Sequence, residues 1–196
     1  MKRITSKESF SVFVCVALIL VFASQAIAGE NSRPFQLSLF SPVAILEPDQ
    51  SVHGLGINLI YGNNENVSGL YVGLANHVNN DMKGLSYGLV NIAGNDVVGL
   101  QEGWINWIGG NCLGAQAGLV SYVDGDVTGF QIGIYSGSKN VKGAQAGLFN
   151  QASSVEGFQL GLLNMTGKLD GLQIGFLNIA SEKENFKALP IVNAAW

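Results

Sequence analysis

Few side chains in this sequence have the types and spacing that chemistry requires. Glu102 is the most conspicuous, since it stands in GLQEGWIN, residues 99–106, at a position that other copies of the same pattern fill with apolar residues. A carboxyl group among apolar neighbours must be paired, neutralised or open to water, and no strand residue nearby supplies a cation. Two readings follow: an acid exposed at an edge, or a general acid of a glycan hydrolase. The two histidines, His53 and His77, have no metal-ligand spacing to another His or Cys. Cys112 is the only cysteine beyond the first 28 residues, which excludes an intrachain disulfide there and suits packing better than nucleophilic attack. Asp81, Asp96, Asp124, Asp126, Glu156 and Asp170 flank turns, where aspartate caps backbone and solubilises. They could line a rim and collect a hard cation, but they lack the clustered oxygen ligands of a calcium loop. The glycines recur as GxxxG with no helix to follow, so they do not form a phosphate cradle. The glycosylation-like triplets at 66–68 and 164–166 are by-products of a repeat. No catalytic, cofactor-binding or metal-binding residue emerges, and a non-enzymatic protein is expected.

The repeat must position whatever function there is. GAQAGLFN at 143–150, GFQLGLLN at 157–164 and GLQIGFLN at 171–178 are near copies. Aligned on the leading glycine, units begin at Gly54, Gly69, Gly84, Gly99, Gly114, Gly129, Gly143, Gly157 and Gly171, spaced first by 15 and then by 14 residues. These nine repeats run from 54 to 180, with a degenerate tenth at 186–196. Within each unit, apolar and other residues alternate with period two over about ten residues, the mark of extended chain. One face carries Leu70, Val72, Leu74 and Asn76, or Leu172, Ile174, Phe176 and Asn178. The other carries glycines and a glutamine column, Gln101, Gln116, Gln131, Gln145, Gln159 and Gln173. Two residues before each glycine stands an apolar residue, such as Val97, Cys112 or Leu169. Pairs such as Asn79-Asn80, Gly94-Asn95, Gly109-Gly110 and Asp124-Gly125 sit at a fixed offset and suit the two-residue turn of a hairpin.

These features predict an all-β protein, an antiparallel meander closed into a barrel of roughly 10–12 strands built from 14–15-residue repeats. Its leucine face would meet outer-membrane lipid and its glutamine column would face the lumen. Trp104, Trp107, Tyr122 and Tyr135 would then anchor at the interface, and Trp196 would close the last strand. The alternative is a parallel β-solenoid with one coil per unit, which suits the uniformly short connectors and would stack Asn76, Asn91, Asn106, Asn150, Asn164 and Asn178 into a ladder. In that case the aromatics could form a sugar-stacking patch. Against the solenoid, the connectors offer only one apolar column for a second sheet.

Composition and leader set the compartment. Of 196 residues, 26 are glycine and only 12% are charged, with net charge −4, so there is no electrostatic footprint for nucleic acid. Lys2, Arg3 and Lys7 precede the apolar run FSVFVCVALILVFA, and AIA at 26–28 resembles a cleavage site. A signal peptide at 1–28 followed by a single β-repeat domain at 29–196 is expected, the alternative being an uncleaved anchor. Pro42 and Pro48 allow residues 29–50 an edge strand or a plug, but no unbroken central strand.

The tandem GLQxGLxN units, the leader, the opening FQLSLFSPV at 35–43 and the closing LPIVNAAW resemble bacterial surface-repeat proteins built from glycine-glutamine-asparagine units. The resemblance covers essentially the whole chain after the leader. It implies location at the cell surface or outer membrane and transfers no functional residue, because Ser121 and Ser136 in the Asn column, and Tyr71 and Ser86 in the Gln column, break any strict binding code. Expected partners are outer-membrane lipid and an extracellular ligand. The role is structural, adhesive or that of a passive pore; the alternative is a soluble, periplasmic or secreted surface-binding solenoid. No cofactor is implied.

Overall fold

A computed structural model describes residues 32–196. The expected signal peptide lies outside the described residues. Those described form strands, turns and loops without a helix. The strands, in chain order, are β1 (Ser32–Phe40), β2 (Val43–Ala44), β3 (Ser51–Asn64), β4 (Val67–Val78), β5 (Met82–Tyr87), β6 (Val90–Ala93), β7 (Val97–Glu102), β8 (Ile105–Ile108), β9 (Cys112–Ala117), β10 (Val120–Val123), β11 (Asp126–Ala180) and β12 (Ala188–Ala195).

Successive repeats stack in the same direction. Gly84 lies opposite Gly99, Gly99 opposite Gly114 and Gly114 opposite Gly129, all in parallel ladders. Asn76, Asn91 and Asn106 are likewise in parallel register. The molecule is therefore a β-solenoid, and the expected antiparallel barrel is incorrect. Each coil has two strands, one in each of two facing sheets: β5, β7 and β9 belong to the first, and β6, β8 and β10 to the second. β3, β4 and β11 run unbroken around the corners and so contribute to both.

The second sheet comes from the repeat itself and not from the connectors. What reads as one straight strand bends at a glycine and the apolar residue after it, as at Gly88-Leu89 between β5 and β6 or Gly103-Trp104 between β7 and β8. Stacking continues around that corner, with the Gly88 N–H donating to the Glu102 carbonyl at 3.1 Å and the Leu89 N–H to the Leu74 carbonyl at 2.9 Å. The pairs expected to make hairpins, Gly94-Asn95 and Gly109-Gly110 among them, form the second corner. There the chain passes from one sheet to the next coil's first strand, and no hairpin forms. In the 14-residue repeats the missing residue comes out of this corner: three residues separate buried Val78 from Met82, but two separate Ala152 from Val155.

The leading glycines are held at φ between 124° and 150°. From Gly69 onward a Cβ there would run into the carbonyl of the leading glycine one coil back, as Gly114 would into Gly99. The coils stack so closely in this column that only glycine fits.

Both ends of the stack are closed. β1 pairs in parallel with β3 as an edge strand and β2 folds back on β1. The Gln36 side chain exchanges hydrogen bonds with backbone N–H and C=O of Leu46. At the other end β12 reverses direction and pairs antiparallel with the last coil, from Gly171 opposite Ala195 to Ile179 opposite Ala188. Residues 188–195 thus cap the stack. A reversed strand stops the parallel register from propagating into another molecule.

Candidate functional site

The interior of the coils carries two polar columns among its apolar side chains. The glutamine column expected to face a lumen lies between the two sheets, from Gln101 at 1% exposure to Gln173 at 0%. Each amide donates to the one a coil earlier: Gln116 to Gln101 at 3.2 Å, Gln131 to Gln116 at 3.0 Å, Gln145 to Gln131 at 2.8 Å, and Gln159 and Gln173 onward at 2.7 Å. Asn193 of the cap extends the column by donating to Gln173, and the Lys183 ammonium donates to Asn193 at 2.8 Å.

The asparagines, expected among the leucines of the apolar face, are also inside. Their ladder donates the opposite way, toward the following coil: Asn58 to Asn76 to Asn91 to Asn106, and Asn150 to Asn164 to Asn178, at 2.7 to 2.9 Å. The second amide hydrogen reaches a backbone carbonyl just before the next glycine corner, from Asn76 to Tyr87, Asn91 to Glu102 and Asn106 to Ala117. The Asn column thereby fixes the corner.

Apolar side chains fill the rest of the interior. Val52, Val67, Met82, Val97, Cys112 and Val127 pack with Val78, Ala93, Ile108 and Val123 from the other sheet. Burial pushes the Cys112 thiol up to about 11, so it is a packing group and not an activated nucleophile. The departures from the repeat have steric reasons. Tyr71 takes the glutamine place with its ring over Gly56 and its hydroxyl donating to Asn64 at 2.9 Å, and burial raises its pKa. Ser86, next in the column, is small where Tyr71 is large, and it donates to Asn91.

Outside, the two corners differ. At the polar corner the Asx side chains form a chain of their own: Asp81 Oδ1 accepts from the Asp96 N–H, Asp96 Oδ1 from the Asn111 N–H at 2.7 Å, and Asn111 Oδ1 from the Asp126 N–H at 3.0 Å. Asp124 accepts from the Trp107 indole, and Lys142 pairs with Glu156 in the open. Asp81 and Asp96 are thus committed to the backbone turns, and among the described residues no three His, Cys, Asp or Glu side chains converge as metal ligands. His77 is held by the Tyr61 hydroxyl at 2.8 Å, and burial lowers its pKa. His53 lies at the other end of β3, beside Ser51, Ser68 and Lys83.

At the glycine corner every coil exposes an apolar side chain: Leu59, Leu74, Leu89, Trp104, Leu119, Ile134, Leu148, Leu162 and Phe176 form one unbroken row. Ile60, Ile105, Val120, Phe149 and Leu177 stand exposed beside it. Glu102 faces outward in this region. It lies with Tyr87, Gly88, Gly103, Trp104, Ala117 and Gly118 around a groove of about 320 Å³. Of the residues singled out in the sequence, Glu102 and Trp104 meet in this cavity, and Tyr122, Asp124 and Tyr135 meet in a second, more polar one. Tyr87 was missed; it stands one repeat before Glu102 in the same column, a position that alignment on the leading glycine displays directly.

No protein family, curated protein or solved structure matches the chain.

Proposed function

We propose that this is an exported, non-catalytic solenoid that attaches to an apolar surface along its glycine corner, the surface being lipid of the bacterial envelope. The unbroken row of nine exposed apolar side chains on that corner carries the reading. Isolated exposed leucines are ordinary, but a row running the length of the rod is a large contiguous patch of the kind that marks an interaction surface. The lysines support a lipid partner of particular character. Lys83, Lys139, Lys142 and Lys168 fall on the polar-corner side of the coil, and none stands in the apolar row. Attachment then depends on apolar burial and not on anionic headgroups.

The test is flotation of the purified chain with liposomes. Binding to both phosphatidylcholine and phosphatidylglycerol vesicles, insensitive to 0.5 M salt and lost when Leu148 and Leu162 are both replaced by serine, is the expected result. A chain that stays with the soluble fraction, or floats only with anionic lipid at low salt, contradicts the reading. A soluble dimer whose leucines are covered by a second copy contradicts it too.

A further inference from the structure

We propose that the groove around Glu102 binds a quaternary ammonium group. This inference goes beyond attachment through the apolar row, because it concerns one coil and a ligand of defined charge. Glu102 is the only charged residue in its column, where Val72, Tyr87, Ala117, Ile132 and Leu160 occupy equivalent places. On one side its paired neighbour is Tyr87 and on the other Ala117, in strands spaced about 4.8 Å apart. The tyrosine ring walls one flank, and the alanine leaves the other flank open. Around the glycine corner, two residues on, Trp104 supplies a second exposed aromatic face to the same cavity. Gly103 and Gly118 give the floor no side chains.

Two flanking aromatics and one carboxylate describe a site for an organic cation, attracted by the ring faces and neutralised by the acid. The remaining acceptors decide which cation. A primary ammonium brings three donors and needs three acceptors. Six of the groove's backbone carbonyls already accept hydrogen bonds: Leu74 from Leu89 N–H, Tyr87 from Asn76 Nδ2, Leu89 from Ile105 N–H, Glu102 from Gly88 N–H and Asn91 Nδ2, Trp104 from the N–H groups of Leu119 and Val120, and Ala117 from Gly103 N–H and Asn106 Nδ2. A methylated ammonium has no N–H to satisfy and presents an apolar surface to apolar walls. The chemistry could come from a free trimethylammonium compound or from the headgroup of a choline lipid.

The experiment is calorimetric titration of the full chain with choline and with its neutral isostere 3,3-dimethyl-1-butanol. The expected result is a choline Kd of about 1–10 mM, with no saturable binding of the isostere. Glu102→Gln should weaken choline about tenfold or more, and Trp104→Leu about fivefold, with unchanged melting temperatures since both side chains are exposed. A choline-sensitive shift of the Trp104 indole resonance should vanish in Glu102→Gln. Equal binding of choline and isostere, full choline affinity in Glu102→Gln, or no choline binding up to about 100 mM overturns the proposal. Vesicle flotation separates the sources. If Glu102→Gln loses a preference for phosphatidylcholine over phosphatidylglycerol, the headgroup is the ligand; if vesicle binding is indifferent while free choline binds, the free compound is. Flotation that persists without any choline binding overturns the groove proposal and leaves the lipid-attachment reading standing.

Discussion

The inside of the coil and its glycine corner have exchanged the usual places of polar and apolar groups. Between the sheets lie two columns of amides, all but shielded from water, while the corner outside carries leucine, isoleucine, tryptophan and phenylalanine in a row. A buried amide is costly unless each donor and acceptor is matched. Parallel stacking matches them along each unbroken run of a column, because each residue meets its own copy one coil away, and a primary amide has both a donor and an acceptor to offer its copy. Leucine stacked on leucine would fill the same interior but would fix neither the register nor the bend. The amides specify the fold, and the leucines are thereby free to be spent on the exterior.

The sharpest way to break that arrangement is to separate the coils. Gly114 sits at φ 138° with the Gly99 backbone where its Cβ would go. Gly114→Ala combines the left-handed strain of about 1–3 kcal/mol with a clash against backbone that cannot move aside, so it should cost more than about 3 kcal/mol. Circular dichroism and a denaturant melt check this. A variant folding with near-native stability would mean the coils are not stacked at this spacing.

Next comes the amide column. Gln131 donates to Gln116 and to the Gly137 carbonyl and accepts from Gln145. Gln131→Leu keeps the volume but strips partners from groups on both sides, and about 2–4 kcal/mol should be lost. Were the variant as stable as the parent, hydrophobic filling would suffice inside and the contrast between interior and corner would lose its physical basis.

A buried thiol measures how tightly the interior excludes water and charge. Cys112 titrates at about 11 in the fold against an ordinary 9.0. An acid whose pKa is raised by folding leaves stability untouched below the lower value. As pH climbs from about 9 to 11 the unfolded chain ionises first, and the folding equilibrium should weaken by about 25-fold over that window, approaching about 100-fold above it. Cys112→Ala should flatten that part of the pH profile, and iodoacetamide should label Cys112 only as the chain unfolds. Rapid native-state labelling at pH 8 would show the interior to be open.

The strand character and both columns were legible in the sequence, because alternation and self-similarity are local properties. The direction of stacking was not. Gln101 and Asn106 are five residues apart, an odd spacing that puts them on opposite faces of a straight strand but on the same interior once the chain turns at Gly103. The clue was Trp104-Ile105, like Leu89-Val90 and Leu148-Phe149: two successive residues point outward, which a straight strand does not allow. In a hairpin reading these pairs look like ordinary alternation with both faces apolar. The groove was half legible, since Glu102 stood out by its charge, but its flanking by Tyr87 follows only from parallel register, where residues one repeat apart become neighbours.

The smallest expected effect on stability falls on the apolar row, and it sharpens the comparison most. Leu162 is 56% exposed, so little of its surface leaves water on folding, and Leu162→Ser should change stability by no more than about 0.5 kcal/mol. Set against the several kcal/mol expected for Gln131→Leu, this reverses the ordinary ranking in which removing a leucine costs more than removing a glutamine. Paired denaturant melts of the two variants test that ranking directly. If Leu162→Ser proves the more costly of the two, the row is packed against something within the molecule and is not available to a partner.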